Sequence, residues 1–398
     1  METEPHLEPL PYHLELRAYL KSQERALWNW FASAQAQADY AGNLRLELLK
    51  STYRLDADGH PELYQSVELA KARLHLDIPV TLYQAQNNPQ ANAALFFLPG
   101  EGHVVFSGPI LTLLHPVELQ SVIGHELAHH HLWGCDGGEF HIADRLLQAV
   151  ASDPRAAASH EQTARRFQLY TEIFADRGSL RVTHDLHAVV SSLVKIETGL
   201  SQVSAAGYLK QAEEIFAKTN PSTEGLSHPE AFIRARALAQ WHEQGSAADG
   251  RIRDMIEGTD AWNELDLPGQ TRLVSATRRL IEALLRPRWF QTTAVLGHAK
   301  LFFHDFQPQN GGTIALDDLK FSDARLREYF CYVLLDFVTA DPELDELPLA
   351  AALELGRQLE LDAPFEKLAA KELKMKIRDV RKLKERAAEI LANADRAG

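Results

Sequence analysis

The run Ser121-Val122-Ile123-Gly124-His125-Glu126-Leu127-Ala128-His129-His130 constrains this chain more than any other, because it sets two imidazoles four residues apart with a carboxylate between them. On an α-helix, positions i and i+4 share a face, so His125 and His129 can bind one cation while Glu126 reaches a water beside it. The flanks predict that helix. Pro116 suits a first helical turn, and Val117, Leu119, Val122, Ile123 and Leu127 supply an apolar face alongside the histidines. A zinc ion held by three protein ligands keeps one position for water and lowers its pKa to about 7, and a carboxylate within reach then takes the proton.

A five-residue pattern with three fixed positions also arises by chance, so the reading depends on a third ligand. The metzincin continuation fails, since its glycine position holds Leu132 and its third histidine position holds Cys135. The better candidate is Glu172, in Tyr170-Thr171-Glu172-Ile173-Phe174-Ala175-Asp176-Arg177, a second predicted helix on which Glu172 and Asp176 share a face. Glu172 would complete a His/His/Glu site, and Asp176 would accept a hydrogen bond from a ligand imidazole and fix its tautomer. Asp136, His141 and Asp144 remain open as alternative third ligands.

Several separated pieces resemble, in order, the gluzincin peptidases of the CAAX prenyl protease and HtpX type. Ala91 to Gly100 and His103 to Gly108 resemble the family's strand pair ahead of the zinc helix, and His125-Glu126-Leu127-Ala128-His129 matches that helix. Glu172-Ile173-Phe174-Ala175-Asp176 is similar to the downstream ExxAD, and Ser227-His228-Pro229 with Arg234 resembles a later His-Pro…Arg element. The resemblance implies one Zn2+ per chain, carried by His125, His129 and Glu172, with Glu126 as general base toward water and then proton donor to the leaving amine. It further implies that a substrate backbone pairs with the strand at Asn92, Ala93 and Ala94, that Arg234 contacts substrate, and that His228 stabilises the oxyanion.

Many relatives of that type span membranes, yet no run of about 18 apolar residues occurs here. Leu146 to Ala151 and Tyr332 to Ala340 come nearest, and both are too short or interrupted. The acidic start, Met1 to Glu8, does not resemble a secretory signal, so the expectation is a soluble, cytoplasmic protein without an integral membrane segment. A formal charge of −14 disfavours nucleic acid as a partner, and two cysteines far apart, Cys135 and Cys331, indicate no disulfide framework.

The expected fold class is α+β and mostly helical: a zincin-like core with a small β-sheet and the HExxH helix, followed by an all-α C-terminal domain. The expected division is an N-terminal helical segment over 1–51, a metallopeptidase domain over 52–245 and a helical domain over 246–398, with Gly245 to Gly250 as linker. Tyr329 to Glu346 resembles the helix and acidic turn of TerB-like domains, over about 320–390, and suggests a protein partner there. Asp341, Glu343 and Asp345 are read as a solvated acidic turn, with a second metal as the alternative. Lys371 to Arg386 reads as a basic amphipathic helix. The function expected is hydrolysis of extended or unfolded polypeptide by a zinc endopeptidase; the alternative is a stress-response scaffold with a latent or structural zinc site.

Overall fold

A computed structural model describes residues 7–218, 231–257, 265–308, 319 and 323–397. The chain forms two compact units, Met1–Thr259 and Asp260–Gly398. In the first, helices α1 (Pro11–Gln23), α2 (Arg25–Phe31) and α3 (Ala34–Ser51) lead into strand β1 (Thr52–Leu55), helix α4 (Pro61–Leu74) and strands β2 (Val80–Ala85), β3 (Asn92–Leu98) and β4 (Glu101–Ser107). Then follow α5 (Ile110–Leu113), α6 (Pro116–Gly134), α7 (Glu139–Ala151), α8 (Ala158–Thr183), α9 (Leu186–Thr198), α10 (Ala205–Lys218), α11 (Ala231–Gln244) and α12 (Asp249–Glu257).

The sheet runs in the order β1-β2-β4-β3. β2 and β4 are parallel, and β3 returns antiparallel to β4 in a hairpin whose register runs from Asn92 opposite Ser107 to Leu98 opposite Glu101. β3 is therefore an edge strand with one strand neighbour. Leu95 and Phe97 on β3, with Val104 and Phe106 on β4, point into the main core, while Tyr83 and Val105 pack with Leu48 of α3 in a second, smaller cluster.

Helix α6 enters this core along its whole length. Pro116 starts it, and the Glu118 carboxylate accepts the His115 backbone N–H at 2.7 Å while also pairing with Lys195 of α9 at 2.8 Å. Ile123, Leu127 and Leu132 are fully buried, each contributing about 1.5–3 kcal/mol. Two glycines let α8 approach α6 closely. A Cβ on Gly178 would lie 2.3 Å from the Cβ of Ala128, and one on Gly124 would lie 2.8 Å from the Cβ of Val182. Any larger residue forces the helices apart, and with them the two imidazoles of α6 and the carboxylates of α8.

The expected 1–51 segment is not separate. Leu10, Leu16, Leu20, Trp28 and Phe31 join the same hydrophobic core as Leu127, Phe140 and Phe167. His13 of α1 sits between Phe140, Phe167 and Phe174; its Nδ1 accepts the Leu10 N–H at 3.2 Å and burial pushes its pKa down to about 3. Nor is the expected linker at Gly245 a break between units. Gly245–Ala248 forms a 3-10 turn, Asp249 pairs with Arg177 of α8 at 2.6 Å, and Ile252, Met255 and Ile256 pack in the first core, so the division falls at Thr259.

The second unit contains α13 (Leu267–Leu284), α14 (Thr293–Phe302), α15 (Ala324–Val338), α16 (Leu347–Gln358), α17 (Asp362–Glu372) and α18 (Ile377–Ala397) around Phe330, Leu334, Phe337, Leu353 and Phe365. Asp341 accepts the Glu343 N–H at 3.1 Å and the Thr292 hydroxyl at 2.6 Å, which makes the acidic turn a capped corner. The basic helix expected at 371–386 is α18, displaced toward the C-terminus, and its Arg381 and Lys384 pair with Glu366 of α17 at 3.0 and 2.8 Å. Among the described residues no helix is long and apolar enough to cross a membrane.

Candidate metal centre

The one-turn spacing on α6 brings the imidazoles of His125 and His129 edge to face, with Nε2 atoms 3.2 Å apart. Glu172 of α8 faces both, 3.5 Å from His125 Nε2 through Oε2 and 3.7 Å from His129 Nε2 through Oε1. Donor atoms of the three residues lie within 4.8 Å of one another, and they form the one His/Cys/Asp/Glu group of this kind among the described residues. Tetrahedral zinc with bonds of about 2.0–2.1 Å needs ligand atoms about 3.3 Å apart, so the donor set and its spacing fit that cation.

The charges fit as well. Burial pushes His129 down to about 3, helped by the charge of His125, which leaves its ring neutral with a free lone pair. Burial opposes ionisation of Glu172, yet Arg234 and His125 hold its carboxyl well below the usual range. His125 behaves oppositely: burial disfavours its charge, but hydrogen bonds and charge from Asp176 and Glu172 raise it to about 10. The same field that holds a proton there favours a metal cation facing Nε2.

Asp176 lies one turn beyond Glu172, and its Oδ1 accepts from His125 Nδ1 at 3.1 Å, which directs the Nε2 lone pair toward Glu172 and His129. Arg234 of α11 grips the same carboxylate with two hydrogen bonds, Nε to Oδ2 at 2.8 Å and Nη2 to Oδ1 at 2.6 Å, and reaches Glu172 Oε2 through Nη1 at 3.0 Å. The residue expected at the substrate thus braces two carboxylates of the cluster, with its side chain 13% exposed and still lining the cleft. Sequence position gave no sign of that partnership, since Arg234 and Asp176 are 58 residues apart.

Glu126 is 6% exposed, and burial raises its pKa to about 7, against a hydrogen bond from the Leu95 backbone of β3 that lowers it. A cleft of about 500 Å3 opens over the cluster, and Asn92, Ala93 and Ala94 of the edge strand form part of its wall together with Glu126. Trp133 also lines it, stacked on the His129 ring at 5.4 Å. Its i,i+4 spacing from His129 was the available signal for this contact.

The alternative third ligands lie elsewhere. Asp136 pairs with Arg17, His141 packs on Phe97 and Trp133 at 4.6 and 5.9 Å, and Asp144 lines the cleft outside the donor cluster. His228 is outside the described residues. Asp341, Glu343 and Asp345 belong to no metal-binding group among the described residues.

Residues 61–133 match the sequence profile of peptidase family M48. The matched stretch runs from α4 to Trp133 and contains His125, Glu126 and His129, while Glu172, Asp176 and Arg234 follow it and are joined to the cluster by the fold. The chain is also 29% identical over 218 residues to the plastoglobule-localized metallopeptidase 48, chloroplastic, of Arabidopsis thaliana, an alignment covering 50% of this chain. It spans 60% of the length of that relative. No solved structure gives a significant match. The M48 match and the metallopeptidase relative therefore point to the same class of chemistry as the His/His/Glu cluster.

Proposed function

We propose that the chain is a zinc-dependent endopeptidase acting on extended or unfolded polypeptide. The observation that carries this reading is the convergence of His125, His129 and Glu172 with the buried carboxylate of Glu126 beside them in one cleft. His125, His129 and Glu172 would hold one Zn2+ per chain. When bound, zinc supplies Lewis-acid polarisation and brings the pKa of water to about 7. Glu126 takes a proton from the attacking water and delivers it to the leaving amine nitrogen as the peptide C–N bond breaks. Burial raises the pKa of Glu126, the direction that makes a carboxylate a better proton acceptor. Asp176 keeps His125 in the ligating tautomer, and Arg234 keeps both α8 carboxylates ionised and in place.

The free edge of β3 supports an extended substrate. A peptide added there forms main-chain hydrogen bonds next to Glu126, and such binding reads backbone more than side chains. That recognition suits unfolded chains, whose backbone is accessible.

Reduced casein tests the reading. Cleavage is expected from protein carrying one zinc per chain, is expected to disappear after chelation and dialysis, and should return on adding one equivalent of zinc. Unchanged cleavage by the metal-free protein would remove the metal from the account; no cleavage of any unfolded substrate by fully loaded protein would remove the peptidase.

A further inference from the structure

One charged group in the cleft has no part in the chemistry above. Asp144, on α7, is 9% exposed and lines the cleft with Gln148 of the same helix and Gln168 of α8. Its Oδ2 accepts a hydrogen bond from Gln148 Nε2 at 2.9 Å, and the charge of Arg145 acts on it. Arg145 lies with its guanidinium over the rings of Tyr40 and Phe31 at 4.4 and 5.4 Å and reaches Asp144 through its charge. Burial pushes the Asp144 pKa up to about 6, while the Gln148 hydrogen bond and the charge of Arg145 pull it down. A buried carboxylate is costly unless a cation or a full set of hydrogen bonds compensates it. Here Gln148 supplies one hydrogen-bond donor to a carboxylate whose residue lines the cleft.

The α9 wall of the same cleft differs in chemistry, with Val189, Leu193 and Ile196 and a single acid, Glu197. Each wall thus carries one acid: Glu197 acts on Arg234 through its charge, whereas Asp144 shares its part of the cleft lining with the amides of Gln148 and Gln168.

We propose that this α7 flank, centred on Asp144, is a subsite for the lysine or arginine side chain of a bound polypeptide. This deepens the endopeptidase reading and rests on it for the identity of the ligand. A basic side chain entering the cleft from a strand paired to β3 presents its ammonium or guanidinium group to Asp144, while the Gln148 and Gln168 amides take its remaining hydrogen bonds. A polypeptide without a basic residue at that position leaves Asp144 buried and unpaired.

The test reads binding and cleavage separately. Fluorescein-labelled, N-acetylated octapeptides of alanine, glycine and serine carry one lysine at each position in turn, matched by peptides with norleucine or acetyl-lysine there. Their affinities are measured by anisotropy on zinc-loaded Glu126→Gln protein, with and without Asp144→Asn. A charge-assisted hydrogen bond predicts that lysine binds about 10- to 100-fold tighter than norleucine at one position. Acetyl-lysine should behave as norleucine does, and Asp144→Asn should bring the lysine-to-norleucine ratio within about threefold. The comparison of peptides on Glu126→Gln protein stands even where the double variant does not fold. Absence of any lysine preference, or a preference that survives Asp144→Asn, overturns the subsite. Wild-type protein then digests the same peptides: no cleavage alongside an intact lysine preference removes the peptidase reading and leaves the subsite, and cleavage without that preference does the reverse.

Discussion

Glu126→Gln is expected to lower kcat on an unfolded protein substrate by about 100- to 10,000-fold while zinc binding persists, the range by which a positioned general base accelerates such reactions. Glu126 is not among the three converging donors, so the amide leaves His125, His129 and Glu172 as they are. The substitution preserves shape, and its amide oxygen still accepts the hydrogen bond from the Leu95 backbone. What it removes is the ability to take a proton at the buried carboxylate of Glu126, which lines the cleft with the donor cluster. KM should change little, because the side chain acts on the water and the leaving nitrogen more than on the bound backbone. Steady-state kinetics at matched zinc content check this; a variant retaining more than about a tenth of wild-type kcat would assign proton transfer to another group.

The second large effect belongs to Arg234. Arg234→Met is expected to cost the metal-free protein about 3–5 kcal/mol of folding stability, the loss seen when one partner of a buried ionic group is removed. Arg234 contacts both Glu172 and Asp176, whose side chains are 15% and 2% exposed. With methionine in its place the two carboxylates keep His125 as a cationic neighbour but lose the guanidinium that contacts both. A bound divalent cation at Glu172 makes up part of that deficit, so the zinc-loaded variant should lose clearly less than the metal-free one. Urea denaturation of both forms measures the difference. A loss below about 1 kcal/mol without metal would mean that the guanidinium is a solvated surface cation, against its burial in this fold.

The α6 histidines and the α8 carboxylates were legible because each motif carries its own geometry: i,i+4 spacing on a helix places His125 with His129 and Glu172 with Asp176 whatever the rest of the chain does. What sequence could not supply was the partner of each helix. The pattern of Leu20, Trp28 and Phe31 predicts a helical N-terminus but not the core it joins, which proves to be that of α6 and α8. Gly245-Ser246-Ala247-Ala248-Asp249-Gly250 has the composition of a linker, yet the apolar side chains of Ile252, Met255 and Ile256 just beyond it decide the packing. Strand β1 escaped notice because it is four residues long with a single buried side chain, Leu55. Arg234 was noticed for its place after a His-Pro pair, while its link to Asp176 arises only when α11 packs on α8.

The most direct measurement is the anomalous signal at the zinc absorption edge in crystals of the zinc-loaded protein. One strong peak per chain is expected within bonding distance, about 2.0–2.2 Å, of His125 Nε2, His129 Nε2 and a Glu172 carboxylate oxygen. A peak held instead by His130, His141 or the Asp341 turn, or no peak from protein that contains zinc in solution, would contradict the account at its centre.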